Sequence, residues 1–304
     1  MHGPTPGERP TIVDTVAGQA YPRTEHVGCP LCGEWRAPRS IPVAFGMVAS
    51  VAECRPCRIA FQTPLPAAPA SRAYMNIRWR GAGERDRYVT DRDNQLGRAR
   101  TQVAWLEPHL PRGSRLLDFG AGAGAFVRTA QDHGFAADGV EQSDSARERA
   151  RATYGVDLLP ALAGGGYDAI TLWDVVEHLR EPEAVLRGLA GSLRPGGLIV
   201  LETGNWENWR RVAERDRWGL YFFDHQFYFS PASLEALLAR CGYTGFQLLD
   251  VNHRRPRLSL LHPKRLRRDP GLWWRSWVEW RRARTTWPGH GDMDVMVATA
   301  RRAA

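Results

Sequence analysis

Four of the five cysteines stand in two pairs, Cys29-Pro-Leu-Cys32 and Cys54-Arg-Pro-Cys57, with 21 residues between the pairs. A CxxC turn aims two thiolates at one point, and two such turns complete a tetrahedron around Zn²⁺. Four sulfur ligands close the shell and leave no position for water. Cys29, Cys32, Cys54 and Cys57 are therefore expected to hold a structural zinc. A disulfide framework fits badly in a cytosolic chain of this size, and no strand–CxxC–helix pattern marks a thioredoxin-like pair. The fifth, Cys241, lies at a predicted helix end and is expected to be a small buried hydrophobe.

A second constellation is Leu116-Leu117-Asp118-Phe119-Gly120-Ala121-Gly122-Ala123-Gly124-Ala125. Small residues let the backbone turn sharply and approach a ligand at a helix N-terminus. By itself the run is ambiguous, because Gly120, Gly122 and Ala125 also satisfy a dinucleotide-type GxGxxA pattern. Asp118, at the strand's carboxyl end, suits a cationic amino group. Glu141 comes 23 residues later and ends the next predicted strand. A carboxylate there accepts ribose hydroxyls in either cofactor class.

These groups need a scaffold that gathers strand ends and loops. After Pro111 the pattern alternates between strand and helix. Strands are predicted at 115–119, 136–141, 167–173 and 197–202. Helices are predicted at 124–133, 145–154 and 182–193, with Ser143 or Asp144 capping the second and Pro182 opening the third. Ser230-Pro231 opens a helix that ends at Gly242, and 246–251 and 295–299 read as two last strands. Leu96, Val103, Leu106 and Leu110 recur at helical spacing upstream. Such repetition means an α/β domain with a parallel sheet and helices on both faces.

The order of these motifs is similar to that of class I S-adenosylmethionine-dependent methyltransferases. The resemblance rests on Asp118 to Gly124, Gly139-Val140-Glu141, Tyr167-Asp168-Ala169-Ile170 through Val176-Glu177-His178-Leu179, and Leu193-Arg194-Pro195-Gly196-Gly197. It covers roughly residues 95–250. It implies a Rossmann-like, doubly wound, seven-stranded, mostly parallel sheet. It also implies a cofactor set of Asp118, Gly120, Ala121, Gly122, Gly124, Glu141, Gln142, Trp173, Asp174 and Val175, with Glu141 on the ribose. Cys29 to Gly33 and Cys54 to Pro66 resemble the zinc-ribbon lead-in of a subgroup that includes sugar methyltransferases of antibiotic and surface-glycan pathways. There a segment reading roughly Tyr-His-Glu-His-x-x-Tyr-Phe-Ser follows the fifth strand. Here it reads Phe222-Phe223-Asp224-His225-Gln226-Phe227-Tyr228-Phe229-Ser230, with Phe223 in place of the first histidine.

Methyl transfer is in-line attack on a sulfonium methyl, so the protein must align the acceptor and take its proton. An imidazole, with an ordinary pKa of about 6.5, suits that task at neutral pH. His225 is the expected base and Asp224 its orienting partner, against the reading that His225 only satisfies backbone groups. His178 is the second candidate. Trp206, Trp209 and Trp218 precede His225 and either line an acceptor pocket or form core.

The resulting organisation is a flexible tail at 1–20, a zinc-ribbon module at 21–66, a linker and helical lid at 67–110, and the methyltransferase domain at 111–304. A Trp/Arg-rich insertion spans 252–290. The net charge of +8 sits there: Asn252 to Trp287 holds eleven basic residues against two acids. Trp273, Trp277 and Trp280 mark an amphipathic helix within it. That helix packs on the domain or a dimer mate, covers an acceptor, or docks on an anionic surface. The expected acceptor is a small molecule of specialised metabolism, a sugar, glycosylated or phosphate-bearing intermediate. The alternatives are RNA, or a quinone or lipid met at a membrane. Nucleic acid is disfavoured because no Asn/Asp-Pro-Pro-Tyr-type motif is present. O-, N- and C-methylation stay open, as does a non-catalytic module that keeps the fold. With 43% hydrophobic and 24% charged residues, wholesale disorder is excluded. No run of about 18 uncharged apolar residues occurs, and Met1 to Ala20 lacks a signal pattern, so the expected location is the cytoplasm.

Overall fold

The computed structural model describes residues 12–43, 47–79, 92–249 and 295–304, with 269, 271, 274, 275, 277 and 278 between them. Most of the expected Trp/Arg-rich insertion, including Trp273 and Trp280, lies outside the described residues.

The first described element is a hairpin of β1 (Ile12–Val16) and β2 (Gln19–Arg23). Residues 12–20 were expected within a flexible tail. They are ordered because alternation places Asp14 and Val16 on one face, where both are buried. Asp14 accepts from the buried Arg23 guanidinium through both oxygens, each at 2.8 Å. The cysteine module follows as β3 (Arg39–Pro42), β4 (Val48–Cys54) and β5 (Ile59–Gln62), all antiparallel. The stretch expected as linker and lid contains two helices, α1 (Ala68–Trp79) and α2 (Arg92–Leu106).

The main domain then alternates as the periodicity predicts. Its elements are β6 (Arg115–Phe119), α3 (Ala125–Asp132), β7 (Ala136–Val140), α4 (Asp144–Tyr154), β8 (Tyr167–Trp173), α5 (Pro182–Ser192) and β9 (Leu193–Gly204). There follow α6 (Trp209–Glu214), β10 (Phe227–Phe229), α7 (Pro231–Arg240), β11 (Tyr243–Leu249) and β12 (Val295–Arg302). Ser143 caps α4 by accepting from the Ala146 N–H. Ser230 and Ser233 form a reciprocal capping box on α7.

The main sheet runs β11-β12-β9-β8-β6-β7. The contacts among β6, β7, β8 and β9 are parallel, while β12 runs antiparallel to both neighbours. Seven strands were expected; six are formed among the described residues. Beside β7 a single parallel bridge, Val140 to Leu159, stands where a further edge strand would lie. Pro160 follows directly and has no N–H to continue a ladder.

Strand alternation separates two cores. Leu117, Ile170, Ile199 and Leu201 face Leu186, Leu189, Leu234 and Leu237 of α5 and α7, together with Cys29, Ile59 and Phe61 of the cysteine module. Leu116, Ala169, Leu198 and Val200 face Val103, Phe126 and Ala150 of α2, α3 and α4. Covering both faces is why β8 is buried at every residue. Each buried Leu or Ile contributes on the order of 1.5–3 kcal/mol. The chain order reverses at β6, with β7 on one side and β8 on the other, so a crevice opens at their carboxyl ends.

Candidate active site

The turn after β6 occupies that crevice. Gly120 and Ala121 both donate their N–H to the Val140 carbonyl, at 2.8 and 2.9 Å. Gly120 has φ +81°, and a Cβ there would lie 2.6 Å from Val175 Cγ2. Only glycine lets the loop pass under Val175 at this φ. Gly124 then enters α3 in the left-handed region. Glu141 is locked beside the loop: its Oε2 accepts from the Gly122 N–H at 2.9 Å and its Oε1 from the Ser143 N–H at 2.8 Å. The neighbouring Gln142 is exposed.

Asp118 is buried at the end of β6 and accepts from Thr171 Oγ1 at 2.8 Å. Burial pushes its carboxyl up to about 7; the nearby Glu141 adds to this, and the Thr171 hydrogen bond and Arg98 oppose it. A cationic ligand would relieve that penalty. Trp173 packs between Phe126 and Trp105, with centroids at 5.3 and 5.9 Å. Its indole N–H is buried with no hydrogen-bond partner among the described residues. Asp174 follows with φ +53° and donates its N–H to the Glu202 carbonyl. A glycine cradle, a fixed carboxylate, a buried acid and an unpaired indole donor fit an adenosyl cation with an amino-acid tail.

Arg98, Gln102 and Glu202 were not singled out in the sequence. Arg98 on α2 reaches Asp174 at 2.7 Å and Glu202 at 2.6 Å, and Gln102 donates to Glu202 at 3.3 Å. Burial pushes Glu202 up to about 7, opposed by Arg98. The missed signal is polar residues on the inner face of a helix, Arg98 and Gln102 at i and i+4.

The second half of the site begins one residue past Val175, at the 3-10 turn Val176–His178. His178 Nδ1 lies 3.0 Å from the Asp224 carbonyl oxygen and 3.4 Å from Asp224 Oδ2. The His178 and His225 rings meet edge to face at 4.7 Å. All three residues proposed for chemistry thus share one cluster, 46 residues apart in sequence between His178 and Asp224. Glu177 joins them: a ligand atom from each of Glu177, His178 and His225 lies within 4.8 Å of the others. Burial pushes the Glu177 carboxyl up to about 8, and its Oε2 has no hydrogen-bond partner among the described residues. Phe223, which stands where the subgroup has a histidine, is buried against Tyr74 at 5.4 Å. Trp206 and Trp218 resolve as core: both are buried and pack with Tyr221 and Tyr228. Trp209 is buried as well.

The four cysteine sulfurs lie within 4.8 Å of one another, and Cys32 Sγ is 3.7 Å from Cys54 Sγ. A tetrahedron with Zn–S bonds of about 2.3 Å has an S–S edge of about 3.8 Å, so the donor set and spacing fit zinc. Each pair is followed by a residue with positive φ, Gly33 at +75° and Arg58 at +55°, which folds the chain tightly behind the sulfurs.

Residues 88–248 match the family described as "Methyltransferase domain". A ubiquinone biosynthesis O-methyltransferase of Xanthomonas axonopodis pv. citri (strain 306) is 29% identical over 107 residues, 31% of this chain and 45% of that protein. The chain thus spans about half the length of the curated relatives it matches. Among solved structures, an S-adenosylmethionine-dependent methyltransferase from Thermotoga maritima superposes with a TM-score of 0.50 at 19% identity, covering 75% of this chain and 98% of that one. The phosphoethanolamine N-methyltransferase 2 of Haemonchus contortus, bound to S-adenosyl-L-methionine, gives 0.50 at 13% identity, covering 81% and 63%. These two likenesses are of fold. With the family match spanning more than half of its residues, the chain belongs to the methyltransferase-domain family.

Proposed function

We propose that the chain methylates a small-molecule acceptor of specialised metabolism, a sugar, glycosylated or phosphate-bearing intermediate, with His225 as general base. The observation that carries this reading is the His178–Asp224–His225 cluster, which begins beside the residue that roofs Gly120. S-adenosylmethionine supplies an activated methyl group when bound. The residues that would hold it are Asp118 at the ammonium, the Gly120–Gly124 turn at the methionine portion, Glu141 at the ribose, and Trp173 to Val175 along one wall. His225 takes the acceptor's proton. His178, fixed through Nδ1 by Asp224, packs its ring against His225 and sets the imidazole's orientation. Cys29, Cys32, Cys54 and Cys57 would hold one zinc, which has a structural role.

Labelled methyl transfer from S-adenosylmethionine into a fractionated cell extract tests the acceptor class. Label in the small-molecule fraction is expected; label confined to nuclease-sensitive material would overturn it in favour of RNA. His225→Ala should cut transfer by about 10²–10⁴ while cofactor affinity is kept, and near-normal turnover would sink the base assignment.

A second reading is a quinone or lipid acceptor. The names of the curated relatives favour it, as do Trp274 and Trp277, which stack at 5.1 Å and are 58% and 37% exposed. Label in the lipid fraction, with co-sedimentation on anionic vesicles that is lost on deleting 270–286, would replace the first reading.

A further inference from the structure

The segment that carries His225 is built onto the cysteine module. β10 pairs antiparallel with β5, setting Phe227 opposite Phe61 and Phe229 opposite Ile59, so the module's sheet runs β10-β5-β4-β3. Arg58, next to Cys57, grips Glu207 through two contacts of 2.6 Å. Arg39 on β3 pairs with Asp216 and donates to Tyr221.

One side chain ties these parts to the histidine turn. Gln62, at the end of β5, is fully buried. Its Nε2 donates to two carbonyls, Phe223 at 2.9 Å and His225 at 2.6 Å. Its own N–H donates to the Gln226 carbonyl at 2.8 Å. Its Oε1 accepts from Arg23 at 3.0 Å and from the Ser50 N–H at 3.3 Å. All four hydrogen-bonding positions of the amide are used, and a flipped amide would set oxygen against two carbonyls and NH₂ against two donors. The partners therefore fix its orientation. Arg23 is in turn held by Asp14 of the hairpin.

We propose that Gln62 is a positioning residue for methyl transfer: its side-chain amide fixes the backbone on both sides of Asp224, so the cysteine-held sheet determines where the His225 imidazole stands. The proposal rests on the reading of His225 as base. Misplacement of a reacting group by about 1 Å can cost on the order of 10²-fold in rate.

The test is Gln62→Met in the full chain, which keeps length and removes both donors. Binding of S-adenosylmethionine, measured by calorimetry, should stay within about twofold. Transfer of labelled methyl into the small-molecule fraction of cell extract should fall about 10- to 100-fold. In protein labelled with ¹⁵N-histidine, the His225 ring signal, identified by its loss in His225→Gln, should move and titrate at a changed pH. In the His225→Gln background, Gln62→Met should cost no further transfer, because it acts through the absent imidazole. Equal losses in both backgrounds, or an unmoved ring signal, would overturn the proposal. If His225→Gln alone transfers at the normal rate, the base assignment fails, and the ring signal still decides whether Gln62 places the turn. Should Gln62→Met fail to fold, Gln62→Asn, an amide one methylene shorter, is subjected to the same readings.

Discussion

Arg98 on α2 holds Glu202 at the end of β9 with a 2.6 Å contact, and the same nitrogen reaches Asp174 at 2.7 Å. The contact crosses 104 residues and fastens a helix upstream of the main domain over the carboxyl ends of its strands. Glu202 is nearly fully buried and already pushed up to about 7 by burial. Arg98→Met removes its cation. The variant should lose about 1–3 kcal/mol at neutral pH, less than for a wholly buried pair because Arg98 is partly exposed. The sign with pH follows from the raised carboxyl. Protonated Glu202 needs no cation, whereas ionised Glu202 does, so the deficit should widen from pH 5 to pH 8. Urea unfolding at both values checks this; a constant deficit would show that the pair carries no charge linkage.

Asp118 gives a second pH signature. With its carboxyl at about 7 in the free protein, it is largely protonated at pH 6 and must ionise to meet an ammonium. The cofactor's α-amino group stays charged in this range, its ordinary value being about 7.7–8.0. Affinity for S-adenosylmethionine should therefore rise about fivefold between pH 6 and pH 7, with proton release on binding. Calorimetry in buffers of different ionisation enthalpy measures both. In Asp118→Asn the affinity should be weaker and the pH dependence gone.

Glu141 accepts two backbone N–H groups in the free protein, so its carboxylate already faces the loop. Hydrogen bonds to a charged group contribute roughly 1.5–3 kcal/mol. Glu141→Ala should weaken S-adenosylmethionine binding by about 10- to 100-fold. An unchanged dissociation constant would remove Glu141 from the ribose site.

Gly120→Ala meets two obstacles, a left-handed backbone and Val175 Cγ2 at 2.6 Å. It should cost about 1–3 kcal/mol of stability and abolish cofactor binding. Adding Val175→Ala relieves the clash but not the backbone, so the double variant should recover part of the stability. Full recovery would mean that φ is not the constraint.

Purified protein should carry about one zinc per chain, and Cys54→Ser should lose it and melt earlier. Cys54 is buried at the end of β4 and shares a core cluster with Phe227 and Phe229. Stable folding without metal would reduce the four thiols to a relic of metal binding.

What the sequence determined by itself was everything encoded within a window of a dozen residues. Short buried runs set between turns and helices located β6 and β8 to the residue, and Ser143, Pro182 and Ser230 marked helix starts. The glycine run and the cysteine pairs pointed to a candidate ligand loop and a candidate metal site, because backbone freedom and ligand spacing are local properties. The β1–β2 hairpin was hidden by a low-charge composition that also describes tails. β10 was missed because three aromatic residues cannot display a period; they become a strand only when β5 lies beside them. Whether Trp206 and Trp218 were pocket or core depended on Tyr221 from the following turn and Tyr228 from β10. The links from Gln62 to His225 and from Arg98 to Glu202 span 163 and 104 residues. Each joins polar groups that look ordinary in the sequence. Burial makes their pairing obligatory, and only the packed structure decides which polar groups are buried together.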